Sequence, residues 1–262
     1  MNGLSPSLWA ETLKMRRSKV PLLTAIGFSL VPLVGGLFMI ILKDPAAARS
    51  MGLISAKAQI TAGTAEWATL FSLLSQATAV GGGIVFAIFT IWVFGREFSD
   101  QTVKELLALP TSREAIVTAK FIVIAIWTLF LTLLSFGLGL LVGKLVVIPG
   151  WSQTLLQTAS VDIIGVGVLT ILLLPFVALI ASLGRGYMAS FGWVILIVFL
   201  SQIAAVTGWG DWFPWSVPAL FSGAAGPRTE LLGTHSYVIL VFASLIGLLA
   251  TFYWWRSADQ TK

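Results

Sequence analysis

The sequence predicts an all-α protein that crosses a membrane six times. Of its 262 residues, 57% are hydrophobic and only 10% are charged, whereas about a quarter of the residues of soluble domains are charged. A bilayer core about 30 Å thick needs about 20 mostly apolar residues per helix. Such stretches occur at approximately residues 20–42, 67–94, 121–143, 160–183, 187–206 and 236–255. They leave no long polar stretch between them, so residues 1–262 are expected to form a single transmembrane domain.

A short amphipathic helix is predicted before the first span, over residues 6–19. Ser5 is suited to the N-cap and Pro6 to the first helical position. At 100° per residue, one side collects Leu8, Trp9, Thr12, Leu13 and Met15, and the other collects Glu11, Lys14, Arg17 and Ser18. This pattern is typical of a helix lying in the membrane interface, and a disordered basic tail is the alternative.

Proline, glycine and aromatic residues shape the other elements. Pro32 and the pair Gly35-Gly36 predict a kink in span one. The Ala-rich segment 43–66 could be helical but is too polar to cross the membrane. Between spans five and six, residues 207–223 combine tryptophans with Pro214 and Pro218. Aromatic rings favour the headgroup region, so we expect short interfacial or re-entrant helices there and no seventh span.

The distribution of basic residues predicts the orientation. One side of the six-span topology carries eleven lysines and arginines and the other five, which together are the sixteen of the chain. Because positive charge is retained on the cytoplasmic side, both termini and the loop between spans two and three are predicted to be cytoplasmic. The protein is thus expected to be a multi-pass protein of the cell membrane.

Several functional classes are disfavoured by composition. The chain has no cysteine and one histidine, His235, which argues against thiolate or imidazole metal sites and a cysteine nucleophile. Asp162 is the only acidic residue in the predicted spans, so an intramembrane enzyme lacks a catalytic constellation. The net charge of +5 comes from residues that flank spans, so we expect contacts with lipid and none with nucleic acid.

The charged segment between spans two and three predicts a short helix. Thr102 to Glu105 has capping-box spacing, Leu106 and Leu107 follow, and Pro110 ends the element. A second capping box, Thr111 to Glu114, precedes span three. The apolar face of the short helix could dock a soluble partner or anchor the loop among lipid headgroups, and spacing leaves both possibilities open.

The segment from Arg96 to Lys120 resembles the intracellular loop of the ABC-2-type permease family, the membrane subunits of ATP-binding-cassette exporters. The six-span layout, the helix before span one and the aromatic segment before span six resemble it too. Gln101 replaces the commoner glycine, which we expect to matter little for capping. The matching residues are Arg96, Glu97, Gln101, Thr102, Leu106, Leu107, Pro110, Ser112, Arg113 and Lys120.

The resemblance implies a permease that forms the translocation pathway of an ATP-driven exporter. Its partners would be two ABC ATPase subunits and a second permease copy or close paralogue. This chain would bind no cofactor and would not be an enzyme, because it has no G-x-x-x-x-G-K-[ST] loop; ATP and magnesium would bind to the ATPase. The residues expected to couple the two proteins are Glu97, Thr102, Lys104, Glu105, Leu106, Leu107, Pro110 and Arg113. An ion-coupled secondary transporter or a channel without an ATPase is the alternative.

Polar residues inside the spans are candidates for the pathway. Span two carries a polar stripe, which could line a substrate path or join helices by hydrogen bonds. Asp162 is ionisable within a span, a feature that often marks function, although it could be an ordinary interfacial residue. The candidates are Ser72, Gln76, Asp162 and Gln202.

Overall fold

The computed structural model describes residues 3–50, 52, 64–108, 111–224 and 232–257. All regular structure in these residues is helical, and the predicted six spans are confirmed as six helices of sufficient length and apolarity. They are span one (Val20–Lys43), span two (Trp67–Ser99), span three (Arg113–Val146), span four (Gln153–Leu183), span five (Met188–Val206) and span six (Thr234–Ser257).

Three helices extend five or more residues beyond the apolar stretches that predicted them. Span two continues to Ser99, span three begins at Arg113 and span four begins at Gln153. The Ser112 side chain caps span three by accepting a hydrogen bond from the Ala115 amide at 3.2 Å. The predicted capping box at Thr111 is therefore wrong by one residue, because Ser112 has the extended backbone that an N-cap requires.

The N-terminal helix spans Leu4–Arg17 and starts earlier than predicted. Its N-cap is Gly3, which has a φ of 137° that glycine adopts readily and other residues rarely do. The prediction of Ser5 as the N-cap is therefore wrong. The helix packs against span three and lies beside the start of span one. A six-residue helix, Pro45–Ser50, follows span one; most of the rest of the Ala-rich segment lies outside the described residues.

Span one runs through Pro32 without a break. A Cβ at Gly35 would lie 3.2 Å from the Leu70 side chain, and one at Gly36 would collide with Val142. These glycines therefore allow span one to pack closely on spans two and three.

Span two contains a five-residue π-helical turn, Thr78–Gly82. Such turns interrupt the regular hydrogen-bond ladder and often occur at functional sites. The turn separates two halves of span two, Trp67–Ala77 and Gly83–Ser99. They are called the outer and inner half after the orientation that the basic residues predict.

The aromatic segment before span six forms short helices, as predicted. They are Gly210–Trp212, Pro214–Ser216 and Val217–Ser222. The Ser216 hydroxyl donates to the Ser201 carbonyl of span five at 2.9 Å, and the Trp215 ring contacts Trp193 and Phe176 edge-on. The segment is therefore packed into the helix bundle.

Candidate functional site: a buried charge cluster and a polar cavity

Glu97, near the end of span two, is the centre of a buried cluster of charges. One carboxylate oxygen, Oε1, lies 2.6 Å from the Lys14 ammonium and 2.9 Å from that of Lys120. The other, Oε2, accepts a hydrogen bond from the Thr102 hydroxyl at 2.9 Å. One side chain thus joins the N-terminal helix, span two, span three and the start of the loop between spans two and three.

A second carboxylate completes the charge cluster. Glu11 Oε1 lies 2.8 Å from Lys14 and 3.2 Å from Lys120. The Lys120 side chain is completely buried and its ammonium also donates to the Val93 carbonyl at 2.8 Å. Two carboxylates and two ammonium groups balance one another, which offsets the large cost of removing each charge from water.

The surroundings also determine the protonation of Lys14, which belongs to the N-terminal helix and lies outside the spans. Burial acts to lower its pKa, but attraction to Glu11 and Glu97 outweighs burial and raises the pKa above the ordinary 10.5. Lys14 is therefore held in the charged form that the cluster needs.

The helical wheel grouped Glu11 with the polar residues of the N-terminal helix but gave no sign that this residue is buried. Glu11 belongs to the predicted polar side yet is only 5% exposed, whereas Trp9 of the apolar side is 69% exposed. The physical reason is that Glu11 is neutralised by Lys120, a partner distant in sequence. Glu11 and Lys14 are three residues apart, a spacing at which opposite charges on a helix can pair. This was the one local sign in the sequence that Glu11 has a charged partner.

The short helix of the loop spans Val103–Ala108, and it is called the coupling helix below after the role that the family resemblance predicts for it. Lys104 and Glu105 are exposed on it, whereas Leu106 is half-buried and packs on the protein's own core. The Thr102 hydroxyl donates to Glu97, a contact that the predicted capping box did not include. The side chain of Leu107 and all of Pro110 lie outside the described residues.

Two other loop residues have local structural roles. Gln101 has a φ of 58°, the left-handed conformation that favours glycine. A glycine would adopt this conformation without strain, so replacing Gln101 by glycine would bear on backbone conformation and not on capping. Arg113 Nη1 donates to the carbonyls of Trp255 and Arg256 at 3.2 and 3.1 Å, so it ties the start of span three to the end of span six.

At the opposite end of span two lies a polar cavity of about 350 Å³. It brings together three of the four predicted pathway residues, Ser72, Gln76 and Asp162, and the Gln76 amide nitrogen donates to the Ser72 hydroxyl at 3.0 Å. Gln202 instead lines a separate, mostly apolar cavity of about 60 Å³ beside Trp193 and Trp215. The polar stripe and Asp162 therefore share one site, and Gln202 belongs to another. The described residues lining the polar cavity are Ala68, Phe71, Ser72, Ser75, Gln76, Leu155, Thr158, Ala159, Asp162, Ser222 and Gly223.

The chain is thus a polytopic membrane protein with six apolar spans. The Thr102 hydroxyl joins the start of its short loop helix to the buried charge cluster, and a polar cavity lies between spans two and four. Comparison with known proteins identifies the family to which this membrane protein belongs. Residues 7–201 match the ABC-2 family transporter protein family, and the chain belongs to that family. It is 27% identical over 176 residues to the bacitracin transport permease protein BCRB of Bacillus licheniformis, covering 67% of this chain and 84% of that protein.

The family membership defines what kind of subunit this is. The chain is the membrane subunit of an ABC transporter and a multi-pass protein of the cell membrane. It is a permease and not itself an enzyme, and ABC-2 permeases in general work with ATPase subunits. The matched residues include the charge cluster, the coupling helix and the parts of spans two and four that line the polar cavity.

Proposed function

We propose that this chain is the permease of an ATP-driven exporter whose two ATPase subunits dock on the coupling helix. Those subunits would bind ATP and magnesium, and a second permease copy or close paralogue would complete the translocation pathway. Family membership and the likeness to a bacitracin transport permease support this proposal. Both termini and the coupling helix would lie on the cytoplasmic side, in accordance with the excess of basic residues there.

The observation that carries the proposal is the attachment of the coupling helix to the charge cluster. Thr102 precedes the helix and bonds to Glu97, and Glu97 is paired with Lys14 and Lys120. A push on the coupling helix would therefore act on spans two and three and on the N-terminal helix together. Such a connection is what conversion of ATPase movement into a shift between inward-facing and outward-facing states requires.

The exposed face of the coupling helix is the proposed docking face. Leu106 is half-buried and packs against the permease core, next to a small cavity that Ala10 and Ile116 also line, so it supports the helix from within. Lys104 and Glu105 are exposed and are the described side chains of the helix best placed to meet another protein. Recognition would thus involve charge as well as the apolar contacts expected from the sequence.

The test is co-purification of the tagged permease with an ATP-hydrolysing partner from native membranes in mild detergent. Glu105→Lys should reduce recovery of the partner and permease-stimulated ATP hydrolysis, because it reverses a charge on the docking face. Glu66→Lys is the matched control, since Glu66 is also exposed but lies at the other end of span two. Leu106→Asp is a poorer probe because it would also disturb the permease core.

Two outcomes would contradict the proposal. If Glu105→Lys behaved like Glu66→Lys, the docking face would be elsewhere. If the permease purified without any ATPase in several detergents, a secondary transporter or channel would become the better explanation.

Export itself is tested with inside-out vesicles. In these vesicles ATP should drive labelled bacitracin, the first cargo to try, into the lumen.

A further inference from the structure

We propose that the junction between the N-terminal helix and span one binds the phosphate headgroup of an anionic phospholipid. The N-terminal helix ends at Arg17 and span one begins at Val20. Arg16, Arg17 and Lys19 lie at this junction, and all three are exposed. Consecutive Cα atoms are about 3.8 Å apart, so the three side chains start within about 11 Å of one another. They form a compact cluster of positive charge, called the basic junction below.

The positive charges of the basic junction are not neutralised by the described part of the protein. Within residues 3–50, 52, 64–108, 111–224 and 232–257, no side chain forms an ion pair with Arg16, Arg17 or Lys19. Lys14 of the same helix differs, because it is paired with Glu11 and with a carboxylate of span two. Guanidinium groups donate paired hydrogen bonds to phosphate oxygens, and an ammonium adds a compact charge. The basic junction thus has the donors and the charge that a phosphate requires.

A stripe of exposed apolar side chains continues from Lys19 along span one. Its members follow Lys19 by three, four, seven and eleven residues, which is the spacing of one helix face. At 1.5 Å per residue the stripe is about 17 Å long, close to the half-thickness of a bilayer core, about 15 Å. An acyl chain attached to a phosphate at Lys19 would therefore lie along this stripe through one leaflet. The members are Leu22, Leu23, Ile26 and Leu30, each between 53% and 62% exposed.

The outer side of the N-terminal helix also suits the headgroup region. Trp9 and Arg16 are seven residues apart, which is about two helical turns, so they lie on one face. Both are exposed, as is Thr12 between them, whereas Leu8 and Met15 pack on the protein core. Tryptophan rings concentrate where acyl chains meet headgroups. The helix therefore presents an interfacial side that ends at the basic junction.

An anionic lipid fits these features better than a soluble acidic protein does. A soluble protein could pair with the basic junction, but it could not reach the apolar stripe, which belongs to a membrane-spanning helix. A phospholipid carries the phosphate and the hydrocarbon in one molecule and matches both. The predicted orientation places the junction at the cytoplasmic leaflet, where anionic lipids attract basic residues. The choice of leaflet rests on that proposed orientation, whereas binding to the junction does not.

Bound lipid would hold the N-terminal helix from its outer side. The charge cluster holds the same helix from its inner side, through Lys14 and Glu97 at 2.6 Å, and Glu97 also accepts from Thr102 at the start of the coupling helix. The lipid would thus stabilise the position of a helix on which the charge cluster is built. Because a ligand that binds only the folded state stabilises it, the lipid should also raise the thermal unfolding temperature of the permease.

The probe is dioleoyl phosphatidylglycerol, an anionic phospholipid, and native mass spectrometry of the permease in a maltoside detergent counts the molecules bound. Dioleoyl phosphatidylethanolamine has the same acyl chains and no net charge. The wild type should bind phosphatidylglycerol saturably and at least tenfold more tightly than phosphatidylethanolamine. No ATPase is present, so failure of the lipid site and failure of the proposed export function are separate results.

The variant replaces Arg16, Arg17 and Lys19 together by glutamine. Each basic residue near an anionic headgroup contributes about fivefold to binding, equivalent to about 1 kcal/mol. The triple variant should therefore bind phosphatidylglycerol at least about twentyfold more weakly, with phosphatidylethanolamine binding unchanged. Lys144→Gln is the matched control, because Lys144 is also exposed but lies near the far end of span three. It should bind both lipids as the wild type does.

Three results would overturn the proposal. The first is equal binding of the two lipids to the wild type, which is informative even if the triple variant failed to fold. The second is wild-type affinity for phosphatidylglycerol in a folded triple variant, or an equal loss in Lys144→Gln. The third is displacement of the lipid by an equal concentration of glycerophosphoglycerol, the headgroup without acyl chains, since that would identify a site for soluble phosphates. Retention of the lipid against this competitor supports a phospholipid site.

Discussion

Replacing Glu97 by glutamine should destabilise the folded permease by about 3 kcal/mol. The substitution keeps the shape of the side chain but removes its charge from contact with Lys14 and Lys120, at 2.6 and 2.9 Å. Breaking one partner of a buried ion pair typically costs about 3 to 5 kcal/mol. We expect the lower end because Glu11 remains 3.2 Å from Lys120 and still neutralises it in part.

The assay is unfolding of the purified protein by SDS, followed through its helix content. Lys120→Met alone should cost a similar amount, because it leaves two carboxylates facing the single ammonium of Lys14. The double variant, Glu97→Gln with Lys120→Met, should lose less than the sum of the two single losses, by about 2 kcal/mol. Removing both partners leaves Glu11 and Lys14 paired at 2.8 Å, and the coupling between contacting residues is typically about 0.5 to 3 kcal/mol.

The partly exposed pair of Arg96 and Asp100 is the internal control. Its atoms lie 3.6 Å apart, and the Asp100 side chain is 51% exposed. Pairs of this kind contribute about 0 to 1 kcal/mol because water screens them, so Asp100→Asn should scarcely change unfolding. The reasoning is refuted if Glu97→Gln costs no more than Asp100→Asn, or if the losses of the double variant are simply additive.

Three other predictions concern the backbone and the pH. Gln101→Gly should stabilise the fold by up to about 1 kcal/mol in the same SDS assay, because glycine adopts the left-handed φ of 58° without strain; a loss of stability would contradict this. Gly247→Ala should cost about 1 to 3 kcal/mol, because its Cβ would lie 2.8 Å from the backbone nitrogen of Phe176, whereas Gly192→Ala, with no neighbour within 4 Å, should be neutral or stabilising. Stabilisation by Lys14, whose pKa is raised, should be complete below its ordinary pKa of 10.5 and be lost as the pH rises through the higher folded-state value; thermal unfolding of wild type and Lys14→Met should therefore converge only at strongly alkaline pH.

The spans could be predicted from the sequence because lipid imposes a strong and local requirement. About 20 apolar residues in succession have few alternatives to a membrane helix. The helix ends were less predictable, since a helix continues past its apolar stretch wherever a cap and polar surroundings allow it. Span three illustrates this: Ser112 caps it, and its first two turns carry Arg113, Glu114 and Lys120.

The arrangement of the functional residues was harder to predict. A helical wheel describes one helix against water or lipid, so it grouped Glu11 with the polar residues and gave no sign of its burial. Its true partners include Lys120, which comes more than a hundred residues later and depends on the packing of three elements. The sequence likewise could not show that Gln202 and Gln76 line different cavities. Whether two polar residues share a cavity depends on which helices face each other.

Span two contributes residues to both sites, the polar cavity and the charge cluster. The polar cavity uses its outer half, up to Gln76, and the charge cluster uses its inner end at Glu97. At 1.5 Å per residue, these positions are about 30 Å apart along the helix. Between them lies the π-helical turn Thr78–Gly82, where the regular hydrogen bonds that stiffen a helix are interrupted. In the proposed mechanism, the inner half, which ion pairs fix to span three and the N-terminal helix, would move with the coupling helix. The π-helical turn would then be the place where the outer half and its cavity reorient.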